Sequence, residues 1–215
     1  MESAELVDYY RRRAAQYEAI YEKPERQRDL ALLRTKLAEV FAGLRVLEVA
    51  CGTGYWTQVI AETAKSVVAA DLAEEPMNIA RAKRYARDPF FVSADAYALP
   101  EDLGRFDAAF AGFWWSHIPL GRIAEFLSSL HARLQPGARV IMLDNRYVEG
   151  SSTPIAGLDA EGNAYQLRHL ADGSALRVLK NFPSADELRG RLPPSCSEVK
   201  VDLLQYYWLL EYRLQ

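Results

Sequence analysis

Apolar positions along the chain change their spacing at a few sharp points, and those changes divide it into elements. From Ala4 to Glu22, the residues Leu6, Tyr9, Tyr10, Tyr17, Ile20 and Tyr21 recur near helical spacing. Pro24 suits the first turn of a second helix, which the pattern carries to about Phe41. The period then gives way to a continuous apolar run, Arg45 to Ala50, ended by Cys51-Gly52-Thr53-Gly54; this is the mark of a buried parallel strand. Beyond it helices are predicted over Tyr55–Ala64, Glu75–Arg87 and Pro119–Leu134. Strands are predicted over Ser66–Ala70, Phe90–Ser93, Phe106–Phe113 and Arg139–Leu143, with Gln135-Pro136-Gly137 as the turn before the last. Such alternation implies right-handed βαβ units and a parallel sheet with helices on both faces.

The pattern then loosens. Glu149 to Ala164 is rich in Gly, Ser, Pro and Asn and reads as a loop or insertion. Asp172-Gly173, between Tyr165–Leu170 and Ala175–Lys180, is a hairpin signal. Ser184 and Glu187 have capping-box spacing and open a short helix to Leu192. Val199–Leu204 and Tyr206–Arg213 read as two antiparallel strands at the sheet edge. The expected organisation is one domain: a helical segment (1–42), a ligand-binding core (45–145), an insertion with a hairpin (149–181) and a closing helix with two strands (184–215).

Composition narrows the function. Half of the 215 residues are apolar and 26% are charged, as in an ordinary folded domain. A net charge of -3 argues against a surface made for nucleic acid or an anionic membrane. The basic groups Arg11-Arg12-Arg13 and Arg81, Lys83, Arg84, Arg87 read as solvated helix faces. Cys51 and Cys196 have no partner at metal-site or disulfide-framework spacing. The charged first residues lack a signal-peptide core, and no apolar run approaches the roughly 20 residues of a membrane span. A cytoplasmic monomer or homodimer follows as the expectation.

Ligands of an open parallel sheet bind beyond the carboxyl ends of the strands. Three carboxylates fall there: Glu48 on the first strand, Asp71 on the second and Asp95 just after the third. Gly52-Thr53-Gly54 lets backbone approach a ligand and opens a helix whose N–H groups suit a carboxylate. Asp71 follows that loop by about 20 residues, the spacing at which a carboxylate accepts from ribose hydroxyls. The third glycine of the dinucleotide fingerprint is replaced by Thr57, and no P-loop Lys-Ser/Thr pair follows, so little is present to hold a pyrophosphate. This favours an adenosine ligand without phosphates over a nicotinamide cofactor.

With these residues in place, Val46-Leu47-Glu48-Val49-Ala50-Cys51-Gly52-Thr53-Gly54 resembles the first motif of the class I S-adenosylmethionine-dependent methyltransferases, with Ala50 where that family has its first glycine. Asp71-Leu72 with Met77 resembles the second motif, and Ser93-Ala94-Asp95-Ala96 with Leu99-Pro100 the third. Phe106-Asp107 through Phe113 and Leu134-Gln135-Pro136-Gly137 through Leu143 resemble the later two. The resemblance implies a doubly wound α/β, Rossmann-like sheet of seven strands in the order 3-2-1-4-5-7-6, the seventh antiparallel. N-terminal helices and the hairpin insertion would serve as a lid. It also implies S-adenosylmethionine as cofactor, with Glu48, Ala50, Gly52, Gly54 and Trp56 toward the methionine part and Asp71 on the ribose. Asp95 and Ala96 would meet the adenine edge, Leu72 and Met77 its faces, and Phe113 the methionine side, with Tyr9 and Tyr17 closing over the cofactor.

Methyl transfer from a sulfonium needs in-line approach and mainly positioning. His117, in Gly112-Phe113-Trp114-Trp115-Ser116-His117, is the candidate base, alongside the bland reading of a histidine satisfied by backbone. Trp114, Trp115 and Arg146 are the candidate acceptor contacts, the tryptophans for a planar or apolar group and Arg146 for an acidic one or for Asp144. Asp144-Asn145 resembles the metal pair of catechol-type methyltransferases, but Ala111-Gly112-Phe113 stands where those carry a further acidic ligand, so no metal is expected. The Asp/Asn-Pro-Pro-aromatic motif of nucleic-acid amino methylators and a Pro-Cys nucleophile are absent. The expected reaction is methylation of an O, N or S atom of a small molecule; the alternative is a non-catalytic cofactor-binding regulatory or assembly protein.

Overall fold

In the computed structural model, residues 14–169 and 175–215 are described, without the side chains of residues 14–17 and 169. Ten strands fall in two sheets among them. Strands β1 (Arg45–Val49), β2 (Ser66–Asp71), β3 (Phe90–Ser93), β4 (Phe106–Gly112) and β5 (Leu134–Asn145) alternate with helices α2 (Tyr55–Thr63), α3 (Glu74–Arg81) and α4 (Ile123–His131). Helix α1 (Gln27–Val40) precedes them. Strands β6 (Ile155–Leu158), β7 (Ala164–His169) and β8 (Ala175–Leu179), then helix α5 (Ala185–Gly190) and strands β9 (Cys196–Leu203) and β10 (Tyr207–Leu214), complete the chain. The main sheet has the order β3-β2-β1-β4-β5-β10-β9, parallel except that β10 runs antiparallel to β5 and β9 to β10. This is the order the motif resemblance implied, with β10 and β9 as its seventh and sixth strands.

Period-2 alternation decides which layer each residue joins. Leu47, Val49, Ala109, Ala111, Val140 and Met142 point to the layer of α4, with its Ile123, Phe126, Leu127 and Leu130. Val46, Ala108, Phe110, Ile141 and Leu143 point the other way, to α1 through Leu30, Leu33 and Leu37 and to α2 through Trp56 and Ile60.

Four sequence expectations are corrected. Residues Ala14–Tyr21 form a 3₁₀ rather than an α-helix, while 1–13, with Tyr9, lie outside the described residues. Helix α3 stops at Arg81 instead of Arg87, because the chain folds back there: the Tyr85 hydroxyl donates to the Ala80 carbonyl (2.8 Å) and the Gln58 amide to that of Arg84 (3.1 Å). Gln135-Pro136-Gly137 lies inside a twelve-residue β5 as an irregularity in its pairing with β4, Gly137 taking φ 79°. The expected loop before Ala164 contains β6, which pairs with β7; β7 pairs in turn with β8, and the hairpin's own Asp172-Gly173 falls outside the described residues. The capping box at Ser184 is formed, Oγ accepting from Glu187 N–H (3.2 Å) and the Glu187 carboxylate from Ser184 N–H (2.7 Å).

Leu37 is fully buried between α1 and the sheet. Leu37→Ala is expected to cost about 2–5 kcal/mol of unfolding free energy, read from urea denaturation with an unchanged slope. A cost below about 1 kcal/mol would mean that α1 does not carry this layer.

Candidate functional site

Strand order reverses between β1 and β4, whose successors leave in opposite directions and open a crevice at the carboxyl ends. Both chains leave that crevice left-handed. Ala50, just past β1, has φ 57°, and Phe113, just past β4, φ 59°. Such angles are unusual for residues with a side chain and cluster at functional sites. Gly52 (φ 54°) and Gly54 (φ 77°) continue the β1 turn for different reasons. A side chain on Gly54 would strike Ala80 Cβ at 2.8 Å and the Tyr85 hydroxyl at 2.6 Å, so this glycine lets α2 close on α3. A Cβ on Gly52 would meet no protein atom within 4 Å; there the glycine supplies the turn and leaves its outer side clear.

The three strand-end carboxylates differ. Asp71, half-buried, accepts from Gly52 N–H (2.8 Å) and Ala73 N–H (2.8 Å), one on each oxygen, which fixes it under the turn and leaves each oxygen a lone pair. Burial raises its pKa, and the backbone N–H groups counter this. Asp95 accepts from Tyr97 N–H (2.9 Å). Glu48 is buried beside β2 and its Oε2 has no hydrogen-bond partner. Burial above all, and then the charge of Asp71, pushes it up to about 8 against the Thr57 hydroxyl and, more weakly, Lys83, so it is largely protonated at neutral pH. Glu18 joins the N-terminal segment to this region, accepting from the Thr53 hydroxyl (2.7 Å) and from the Lys83 ammonium. Met77 is fully buried and Leu72 44% exposed; Ala96 is buried. Trp56 is buried against Phe110, Phe113, Tyr55 and Tyr21.

A cavity of about 310 Å³ opens on the other side of Phe113. Its walls come from three places: Lys23 and Arg26 ahead of α1, His117 and Asn145 after β4 and at the end of β5, and Gln166, Arg168 and Lys180 on and just after the small sheet. A larger cavity of about 390 Å³ lies between Leu44 and Gly137, at the opposite ends of the strands and away from these carboxylates. The small sheet is tied down at the end of β5. Lys180 Nζ donates to Asp144 (3.0 Å) and to Ser116 Oγ (2.6 Å), and Asp144 also accepts from Ser116 N–H (2.9 Å). Burial opposes both charges; at Asp144 the Lys180 ammonium, His117 and the hydrogen bonds from Ser116 together outweigh it and hold the carboxyl below its ordinary range.

The tryptophans and Arg146 are placed elsewhere than the sequence suggested. Trp115 is buried edge-on against Trp208, and Trp114 packs on Tyr97 and Phe126; both belong to the α4 layer because the turn after β4 swings them under the sheet. Arg146 donates to the Leu204 carbonyl, and Lys180 takes the place expected for it beside Asp144. His117 does line the cavity, but burial and then the Lys180 ammonium bring it down to about 3, so it is neutral at pH 7 and a weak base. Tyr17 carries no described side chain. Sequence reading missed Arg26, Arg168 and Lys180; the one local trace was a lysine closing the apolar run Val178-Leu179. Among the described residues no group of three or more His, Cys, Asp or Glu is arranged to hold a metal ion, and no helix is long and apolar enough to cross a membrane.

Comparison with known proteins agrees with this geometry. Residues 46–137 match a methyltransferase domain model. The whole fold superposes on the solved "DhpI-SAM-HEP complex" with a TM-score of 0.79 at 28% identity, over 97% of this chain and 95% of that one. The chain is thus similar, in its motifs and in its fold, to class I methyltransferases. Curated relatives include a demethylmenaquinone methyltransferase of Lactococcus lactis, 30% identical over 57% of this chain and 50% of the relative. Another, from Clavibacter sepedonicus, is 30% identical over 71% of this chain and 59% of the relative. The chain thus spans between half and three fifths of the length of these two.

Two outcomes test the crevice. Ala50→Gly removes the Cβ from a left-handed position and is expected to raise the unfolding free energy by about 1 kcal/mol; a loss of stability would contradict the strain. Glu48 holds a proton in the folded protein that the unfolded chain releases above its ordinary 4.5. Its contribution is therefore complete at acid pH and is lost as pH rises through about 8. Urea denaturation from pH 5 to 9 should show wild type declining relative to Glu48→Gln; parallel curves would contradict the buried, protonated acid.

Proposed function

We propose that the protein transfers a methyl group from S-adenosylmethionine to a small-molecule acceptor held in the cavity beside Phe113. The observation that carries this reading is the shared wall: Phe113 stands at the reversal of strand order, next to the Asp71–Gly52 turn, and also lines the 310 Å³ cavity. A ligand in the crevice and a ligand in the cavity would meet there. The similarity to enzymes named for a quinone acceptor supports a small molecule.

The donor supplies an electrophilic methyl on a sulfonium. Asp71, already fixed by two backbone N–H groups, has the free lone pairs to hold ribose hydroxyls. Gly52 leaves its outer side open to the amino-acid tail, and buried Glu48, whose Oε2 has no hydrogen-bond partner, would give up its proton to pair with a cationic group arriving there. In this reading Asp95 and Ala96 would meet the adenine edge, and Met77 and Leu72 its faces. The closing role expected of Tyr9 and Tyr17 falls outside the described side chains; the small sheet would cover the acceptor. His117, with its pKa near 3, acts by hydrogen bonding and positioning rather than as a strong base. An open cavity at this point favours catalysis over a purely regulatory binding role.

Calorimetry with S-adenosylmethionine and, separately, NADH checks the donor. Wild type should bind the first and not the second, and Asp71→Asn should bind it at least tenfold more weakly at unchanged circular dichroism. Equal affinity in the variant, or binding of NADH alone, would overturn the reading.

A further inference from the structure

We infer that the acceptor carries an oxyanion, a carboxylate or phosphoryl group, which Arg168, Arg26 and Lys180 hold in the cavity; this rests on the reading of the cavity as the acceptor site. Lys23, Arg26, Arg168 and Lys180 line it, and among the described residues no Asp or Glu does. Behind the wall, Asp144 forms its ion pair with Lys180 and also accepts from Ser116 N–H and Asn145 N–H. The two guanidinium groups are held by neutral oxygens instead. Arg26 donates to Asn145 Oδ1 (3.0 Å) and Ser151 Oγ (3.3 Å), and lies over the rings of Tyr206 and Tyr207 at 5.4 and 5.6 Å. Arg168 donates to Thr153 Oγ1 (2.8 Å) and Gln166 Oε1 (2.6 Å). Neutral partners fix the orientation of a guanidinium without cancelling its charge.

Burial makes that charge consequential. Arg26 is 8% exposed, its Nε has no hydrogen-bond partner, and none of the described carboxylates pairs with it. Asp29, on the first turn of α1, is engaged by Tyr206 N–H (2.8 Å). The cations also feel one another: after burial, Arg168 and Arg26 add to what lowers the Lys180 ammonium. Four cationic side chains around one cavity, against a single carboxylate behind it, repel each other unless an anion enters. Guanidinium forks suit the two oxygens of a carboxylate or the three of a phosphoryl group, and such charge-assisted bonds are the strong ones. The anchoring groups come from the N-terminal segment, β7 and the residue after β8, so one anion would also draw the small sheet and the N-terminal segment together.

The test is thermal unfolding at constant ionic strength in chloride, inorganic phosphate or malonate, with S-adenosylmethionine affinity measured in parallel. Wild type should be stabilised at millimolar phosphate, malonate or both, and whichever anion acts names the group. Arg168→Gln should weaken the apparent anion affinity at least tenfold, and Arg168→Lys should recover much of it. Both variants should bind S-adenosylmethionine as wild type does, since Arg168 stands on the acceptor side. Absence of any anion-specific shift in wild type, or an equal shift in Arg168→Gln, overturns the inference. So does a parallel loss of S-adenosylmethionine affinity, which would assign these cations to the donor's own carboxylate. Failure of wild type to bind S-adenosylmethionine at all would instead sink the donor assignment, whatever the anions do.

Discussion

The structure turns on the reversal of strand order between β1 and β4. Helices leave those two adjacent strands toward opposite faces, so no crossover covers their carboxyl ends, and the chain has to turn away sharply on both. It does so in left-handed conformations at Ala50 and Phe113, where a side chain is a cost of roughly 1–2 kcal/mol each. That strain is sustained because pairing on either side over-determines it: Cys51 N–H bonds to Ala70 O (3.1 Å) and Phe113 N–H to Leu143 O (2.8 Å). Everything functional hangs from the two turns, with Asp71 locked beneath the first and the cavity opening beside the second.

A second constraint orients the acceptor side. The three-stranded sheet shares no strand pairing with the main one, so its position depends on side chains and single backbone contacts. The buried Lys180–Asp144 pair with Ser116 forms one tie, and Asn181, which donates to the Ile118 carbonyl (3.1 Å) and accepts from Ala164 N–H (2.8 Å), forms another. A buried pair of this kind adds little net stability but strongly penalises losing one partner, which suits it to fixing a register between two sheets. The same lysine acts on its surroundings, adding to the burial that keeps His117 neutral and to the positive field of the cavity.

Much of this was legible in the chain, and the reason is locality. The glycine turn and Asp71 lie within one βαβ unit, so their spacing alone places them together, and the strand order was what the resemblance of the motifs along Arg45–Leu143 to class I methyltransferases implied. The acceptor side was not legible for the converse reason. Arg26, Asn145, Arg168 and Lys180 converge from both ends of the chain, and no periodicity records that meeting. Trp114 and Trp115 misled because an aromatic pair after a strand does not reveal which face the next turn will choose; here it chose the α4 layer and Trp208. Within β5, Pro136-Gly137 read as a turn because its residues are turn formers, whereas pairing with β4 absorbed them as an irregularity.

The central claim is that one crevice grips a sugar through Asp71 and delivers a sulfur-bound group to the wall at Phe113. A crystal structure of the protein with S-adenosylhomocysteine tests it most directly. The account predicts ribose hydroxyls within hydrogen-bonding distance of the Asp71 carboxylate and the thioether sulfur facing the cavity that holds Arg168 and Lys180. A sugar bound elsewhere, or a sulfur turned away from Phe113, would contradict it.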